Sequence, residues 1–315
     1  MAAARVEVSV LPDSVLLQVL ALLPPWDRLR AAGVCQRWRR LALDRTVWRH
    51  VDVSQRRLSS GALWHLLRRH LPAGLCTLRA RGSLLSGSRP PLLSQPLLTA
   101  LGKRCPQLRC LALADTDLRR IPYESIPASL AVLELRRCEI PAAWFQPESS
   151  PRPLQHLLVH HVPAFSDHHL LAACSRHRLD TLSLRGSYRL TEAGLQRAAP
   201  YLEGLRCLEL RGCDAGDATM GSIGYHMKRL RRLELIACPV TGAGLGSLKS
   251  LQQLEMLCLE LGEKVSPGAV IALGRALPRL RELRVVGACL GTEVMDQIRL
   301  NLAHCSCSHS PQPPA

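Results

Sequence analysis

Leucines recur along this chain in the pattern L-x-x-L-x-L. The pattern occurs at Leu108/Leu111/Leu113, Leu130/Leu133/Leu135, Leu179/Leu182/Leu184, Leu205/Leu208/Leu210, Leu230/Leu233/Leu235 and Leu254/Leu257/Leu259. Relaxed copies lie at Leu154/Leu157/Val159 and Leu280/Leu283/Val285, and a degenerate one begins at Leu75. From Leu108 onward, successive starts are 22, 24, 25, 26, 25, 24 and 26 residues apart. Within each copy the x-L-x-L-x stretch alternates with period two, as a strand with one buried face does. Between copies, stretches such as Thr191 to Leu195 and Thr241 to Leu245 predict a turn and a helical return, with Thr as the capping residue. One such unit cannot bury its own apolar face, whereas stacked units can.

Registered copies at this period identify leucine-rich repeats. The expected fold is α/β: a horseshoe with a curved parallel sheet inside and helices outside, over residues 108–302. Residues 51–107 are expected to hold a basic helical linker and the degenerate first repeat. Ala62 to Leu71 predicts a helix, with Arg68 and Arg69 placed to complement its C-terminal dipole. Gly82 to Gln95, rich in Ser, Gly and Pro, predicts a loop. Residues 1–8 and 303–315 are expected to be a flexible N-terminus and a disordered tail. Cys138, Cys213 and Cys238 each fall three residues after the last leucine of their strand, where a small buried group can serve turn backbone.

Residues 9–50 follow a different pattern. Leu11-Pro12-Asp13 opens a helical spacing through Val15, Leu16, Val19, Leu20 and Leu23, ended by Pro24-Pro25. Asp27 is expected to cap a short second helix from Arg28 to Ala32. A third, from Val34 to Leu43, would place Val34, Trp38 and Leu41 on one face. So short a module has little core of its own. Its Leu and Trp side chains either form a partner surface or pack against the repeats, and spacing alone leaves both open.

Composition sharpens this picture. Apolar residues make up 47% and aromatics 3%, so the core must be leucine-built. The net charge of +16 is local: residues 51–110 carry ten Lys or Arg against Asp52 alone. Such a segment fits an acidic or nucleic-acid partner, or simply a solvated basic surface. Thirteen cysteines without a repeated C-x-x-C, no secretory signal and no apolar run long enough for a membrane span predict an intracellular protein of cytoplasm or nucleus with free thiols. Cys305, Cys307 and His309 are weak zinc candidates, and no metal or cofactor is expected. His160-His161 and His168-His169 lack ligand spacing, and no nucleophile elbow or P-loop occurs, so no enzyme is expected.

The string Leu11-Pro12, Leu16-Leu17, Leu23-Pro24, Asp27, Val34-Cys35-Gln36-Arg37-Trp38-Arg39, Asp44 and Val47-Trp48-Arg49 resembles an F-box. Followed by leucine-rich repeats, it is similar to the F-box and leucine-rich-repeat family of ubiquitin-ligase substrate receptors. The resemblance implies docking on the Skp-type adaptor of an SCF complex and, through it, on a cullin scaffold and a RING subunit. The repeats would hold a protein substrate for ubiquitination and degradation. Leu11, Pro12, Val15, Leu16, Leu29, Val34, Cys35, Trp38, Leu41 and Trp48 are the positions implied to form the docking face or its support. Competing readings are a stand-alone leucine-rich-repeat inhibitor or scaffold and a basic nucleic-acid-binding protein. Scarce stacking aromatics and the lack of a recognition motif weigh against the last.

In each strand the x positions would face the concave side. The column after the third apolar position runs Ala114, Arg136, His160, Arg185, Arg211, Ile236, Glu260, Val286. With strands roughly 4.8 Å apart, Arg136, His160, Arg185 and Arg211 would form a basic ladder for an acidic or phosphorylated substrate segment. The adjacent column, with Glu134, Ser183, Glu209 and Glu234, can instead neutralise it.

Overall fold

The computed structural model describes residues 8–84, 92–145, 154–261, 264–287 and 292–310. They divide into two compact units, Met1–Leu130 and Ala131–Ala315.

The first unit begins with three short helices: α1 Asp13–Leu22, α2 Pro25–Ala31 and α3 Gln36–Ala42. Prolines set two of the starts. Pro12 and Pro24 stand in the N-cap positions of α1 and α2, and Pro25 opens α2, where a missing N–H costs nothing. Asp27 therefore lies inside the first turn of α2 rather than capping it, and its carboxylate pairs with Arg30 at 3.2 Å. A 3-10 turn, Arg45–Trp48, follows, capped by Asp44. Hydrogen bonds from Thr46 hold the Asp44 carboxyl below its ordinary range. Next come β1 His50–Arg57, α4 Ser60–Arg69, β2 Thr77–Arg81, α5 Gln95–Arg104 and β3 Cys110–Ala114. The three strands pair in parallel in chain order. The loop expected over Gly82 to Gln95 is corrected at its end, because Ser94 caps α5 and Gln95 is already helical; residues 85–91 lie outside the described residues.

The second unit contains β4 Val132–Arg136, β5 His156–His160, α6 Asp167–Arg176, β6 Thr181–Arg185, α7 Glu192–Ala198 and β7 Cys207–Arg211. It continues with α8 Asp217–His226, β8 Arg232–Ile236, α9 Gly242–Ser247, β9 Met256–Glu260, α10 Pro267–Ala276, β10 Glu282–Val286, α11 Thr292–Asn301 and β11 Ser306–Ser310. Its strands are parallel and follow chain order. The leucine pairs of the repeat, such as Leu182/Leu184 and Leu208/Leu210, are buried.

Two devices stack the repeats. At the strand ends, Arg137, His161, Gly186, Gly212 and Ala237 adopt left-handed backbone, with φ of 48°, 53°, 59°, 59° and 50°. This bend lets the Arg137, His161, Gly186 and Gly212 N–H groups donate to the carbonyls of His160, Arg185, Arg211 and Ile236 on the next strand. Glycine is required at 186 on a second count, because a Cβ there would lie 2.3 Å from His161 Nδ1. At the helix starts, the Asp167 carboxylate accepts from Thr191 N–H (2.9 Å) and Oγ1 (2.7 Å), and Asp217 does the same for Thr241 (2.8 and 2.6 Å). Each acidic side chain thus ties its own helix to the cap of the next one. Cys213 and Cys238 occupy the turn positions expected of them, their thiols donating to the Leu184 and Leu210 carbonyls, respectively. Burial pushes the Cys238 thiol up to about 12.

The ends of the repeat array differ from expectation. Ser306–Ser310, read as disordered tail, forms β11, pairing with β10 so that Cys307 meets Leu283 and His309 meets Val285. His309 Nε2 also contacts the Gly287 carbonyl at 2.9 Å. Among the described residues no cluster of His, Cys, Asp or Glu is placed to hold a metal. At the other end, Val51 of β1 pairs with Leu78, and Trp48, Val51 and Val53 are each 1% exposed. Trp48-x-x-Val51-x-Val53 is therefore a first copy of the repeat, running directly out of the helical module.

Candidate functional site

The module α1–α3 divides its apolar residues into two sets. Leu16, Leu20, Ala31, Leu41, Ala42, Val47 and Trp48 are buried and close its core. The Trp48 Nε1–H donates to the Ala42 carbonyl at 2.8 Å, and its ring stacks on His70 at 5.2 Å. Arg28, 4% exposed, enters this core without a carboxylate partner among the described residues. Its guanidinium donates to the Leu23 and Ala21 carbonyls at 2.8 Å each and to Val47, and it lies over the Trp48 ring at 5.5 Å. It caps the C-terminal end of α1, where carbonyls lack helical partners, and burial lowers its pKa.

The second set stays in solvent. Pro12, Val15, Val34 and Cys35 are exposed, and Leu11, Leu29 and Trp38 are half-buried. Val34 is 66% exposed. Val19 and Leu22, outside the implied docking set, are exposed as well. They could have been found in sequence, since they lie on α1 at i+4 and i+7 from Val15. Of the ten implied docking positions, Leu16, Leu41 and Trp48 are thus core rather than surface. Cys35 is the N-cap of α3, its sulfur accepting from Trp38 N–H at 3.4 Å. Asp13 joins the entry of α1 to α3, pairing with Arg37 at 2.7 Å and Arg40 at 2.5 Å. The hydrogen bond from Arg37 is the main cause of its lowered pKa.

The strand face opposite the leucine core brings the other predicted residues together. The register pairs Arg136 with His160, His160 with Arg185, and Arg185 with Arg211, so the ladder is continuous. It is not uniformly basic. His160 is 7% exposed, and burial, with Arg185 and Arg136 nearby, pushes its pKa down to about 4. Ser183 spends its single hydroxyl proton on Glu209 at 2.7 Å, so His160 Nε2 must be the donor in its 3.1 Å contact with Ser183. A pKa that low leaves the imidazole neutral at pH 7, and the hydrogen-bond pattern then puts its proton on Nε2. Each arginine has a carboxylate: Arg136 with Glu134 (3.2 Å), Arg185 with Glu209 (3.0 Å) and Arg211 with Glu234 (3.8 Å). The buried Nε atoms of Arg185 and Arg211 nevertheless have no acceptor among the described residues. Beyond Arg211 the face turns apolar, where Ile236, Cys258 and Val286 form a buried cluster. Sequence spacing placed Ile236 and Val286 in the column, but it gave no sign that they and Cys258 close into one patch.

Residues 8–54 match the family model described as F-box-like. The chain is 39% identical over 306 residues to the F-box/LRR-repeat protein 12 of Homo sapiens, covering 94% of this chain and 93% of that one. It is 38% identical over 306 residues to the Mus musculus protein of the same name, with the same coverage. Among solved structures, a chain in the complex of Rad7 and Elc1 from yeast aligns with a TM-score of 0.48 at 16% identity, over 76% of this chain and 69% of that one. Among the described residues no helix is long and apolar enough to cross a membrane.

Proposed function

We propose, from the premise that this chain belongs to the F-box and leucine-rich-repeat family, that it is the substrate-receptor subunit of an SCF-type ubiquitin ligase. The helical module docks on a Skp-type adaptor and so joins a cullin scaffold and a RING subunit. The chain supplies no chemistry of its own, and ubiquitin transfer is the work of the complex. It acts inside the cell, in cytoplasm or nucleus, in keeping with thiols that are free among the described residues. The observation that carries the reading is the division of the module into a closed core and a separate exposed apolar set. A stand-alone scaffold has no use for such a set. The docking face is assigned to Leu11, Pro12, Val15, Leu29, Val34, Cys35 and Trp38, with Val19 and Leu22 widening it and Leu16, Leu41 and Trp48 supporting it from within.

The protein substrate lies on the strand face around Arg136, Arg185 and Arg211, through an acidic or phosphorylated segment. Two observations support this placement: the unbroken register and the unsatisfied Nε–H groups of Arg185 and Arg211. An incoming anion supplies those acceptors and competes with Glu209 and Glu234 for the guanidiniums. His160, neutral, positions Glu209 through Ser183. The test is affinity purification of the tagged chain from cells held under a proteasome inhibitor, with adaptor and ubiquitinated clients measured together. The double variant Leu11→Ala/Pro12→Ala is expected to lose the adaptor and keep its clients. Retention of the adaptor by this variant, or its absence from the wild-type eluate, overturns the reading.

A further inference from the structure

Away from the strand face, the second unit carries a cleft of about 730 Å³ between the helix ends and the strand starts of three successive repeats. Its floor and sides follow from one repeat position, the residue just before the first leucine of each copy. That residue is Arg178 before Leu179, Gly204 before Leu205 and Arg229 before Leu230. Glycine thus lies between two arginines at this position. A Cβ built on Gly204 meets nothing within 4 Å, so the space above it is open. Tyr201 and Tyr225 form the walls, 53% and 74% exposed. Neither arginine has an ion-pair partner among the described residues. Lys228 adds a third cation to the lining, and Glu203 is its one carboxylate.

We propose that this cleft is a second protein-docking site, taking an acidic peptide segment that seats one apolar side chain over Gly204 between the two tyrosines. Three cations against one carboxylate select an anionic partner. Exposed tyrosine, a large rigid side chain with a polar tip, is what interface anchors are made of. Glu203 at the cleft favours a peptide over a nucleic acid: its carboxylate accepts a backbone N–H but repels a phosphate chain. Single strands also need a longer run of cations than one cleft provides.

The test is fluorescence anisotropy of the full chain with a labelled hexapeptide of alternating glutamate and leucine, at low and moderate salt. A serine–leucine peptide and a labelled oligo-thymidine serve as comparisons. The acidic peptide is expected to bind at least about tenfold more tightly than the neutral one. Arg178→Glu/Arg229→Glu and, separately, Gly204→Leu, which fills the cleft without changing charge, are each expected to remove that advantage. Arg206→Glu, outside the lining, is expected to keep it. Equal binding of the two peptides, an acidic-peptide affinity unchanged by Gly204→Leu, or tighter binding of oligo-thymidine than of the peptide overturns the proposal. Loss of binding counts only for variants whose urea unfolding midpoint matches wild type, and Tyr225→Ala, at an exposed position, supplies a further cleft variant if one fails to fold.

Discussion

Replacing Arg28 by Ala removes the only charged side chain in the core of the helical module among the described residues. The magnitude can be worked from its contacts. Two hydrogen bonds of 2.8 Å, to Leu23 and Ala21, and a third to the Val47 carbonyl are well formed, and those to the His50 carbonyl, at 3.5 and 3.4 Å, are weak. Hydrogen bonds from a charged donor contribute roughly 1.5–3 kcal/mol each, so these three represent about 4–9 kcal/mol. Loss of the contact over Trp48 adds about 1 kcal/mol, and release of a buried cation to water offsets several. A net destabilisation of about 3 kcal/mol follows. The assay is urea unfolding followed by tryptophan fluorescence, because Trp26, Trp38, Trp48 and Trp64 all lie in the first unit and Trp144 alone in the second. With a denaturant slope of about 3 kcal/mol per molar, the first-unit midpoint falls by about 1 M. Arg28→Lys keeps the charge but not the planar fork, and should fall between. A midpoint within about 0.2 M of wild type for Arg28→Ala would mean that these carbonyls are satisfied by water and that the guanidinium does not hold the module closed.

Four further outcomes are expected. A Cβ on Gly194 would lie 2.1 Å from the Asp167 carboxylate, and one on Gly244 2.2 Å from that of Asp217; either Ala variant should lose about 2 kcal/mol by displacing the tie to the neighbouring helix cap. Gly221→Ala, in open space within α8, should gain about 0.5–1 kcal/mol in the same denaturation series. His160 has a folded pKa of about 4 against an ordinary 6.5, so below 6.5 the unfolded chain takes up a proton that the folded chain refuses. Its contribution to stability is therefore complete above that value and lost as pH falls toward 4, and His160→Gln should flatten the midpoint-versus-pH curve across this window. His70 and His169, also lowered by burial, keep part of the slope. Charge reversal at Arg185 and Arg211 should abolish client capture while leaving the adaptor bound; unchanged capture would assign the ladder to intramolecular neutralisation.

The interior of the repeat array was legible because burial demands leucine at fixed intervals, and β4 to β10 all fall where the pattern puts them. The two ends were not, for opposite reasons. At the start, Trp48 serves the helical module and the first repeat at once, so a reading that assigns each residue to one motif stops at the boundary. At the finish, His304, Cys307 and His309 stand in the leucine positions 24 residues after Leu280, Leu283 and Val285. The period reached them, but polar side chains concealed the strand, which has a neighbour on one side only among the described residues. In the helical module, spacing found which residues are apolar but could not separate the core set from the exposed set. Leu16 and Val15 are adjacent, and only the closing of α1 against α3 and the turn at Trp48 turns one inward. The basic ladder was placed correctly in register. The neutrality of His160 depended on burial and on Arg185 and Arg136, which lie 25 and 24 residues away in the chain.

Adaptor docking is the claim on which the account turns, and direct binding tests it. The purified full chain is titrated with a Skp-type adaptor by isothermal calorimetry, beside Val34→Glu, which places a charge on the exposed apolar set without entering the core. The account predicts an equimolar complex for wild type and at least about a tenfold loss of affinity for Val34→Glu at an unchanged urea midpoint. A wild-type chain that gives no heat of binding, or a Val34→Glu variant that binds as tightly as wild type, would contradict it.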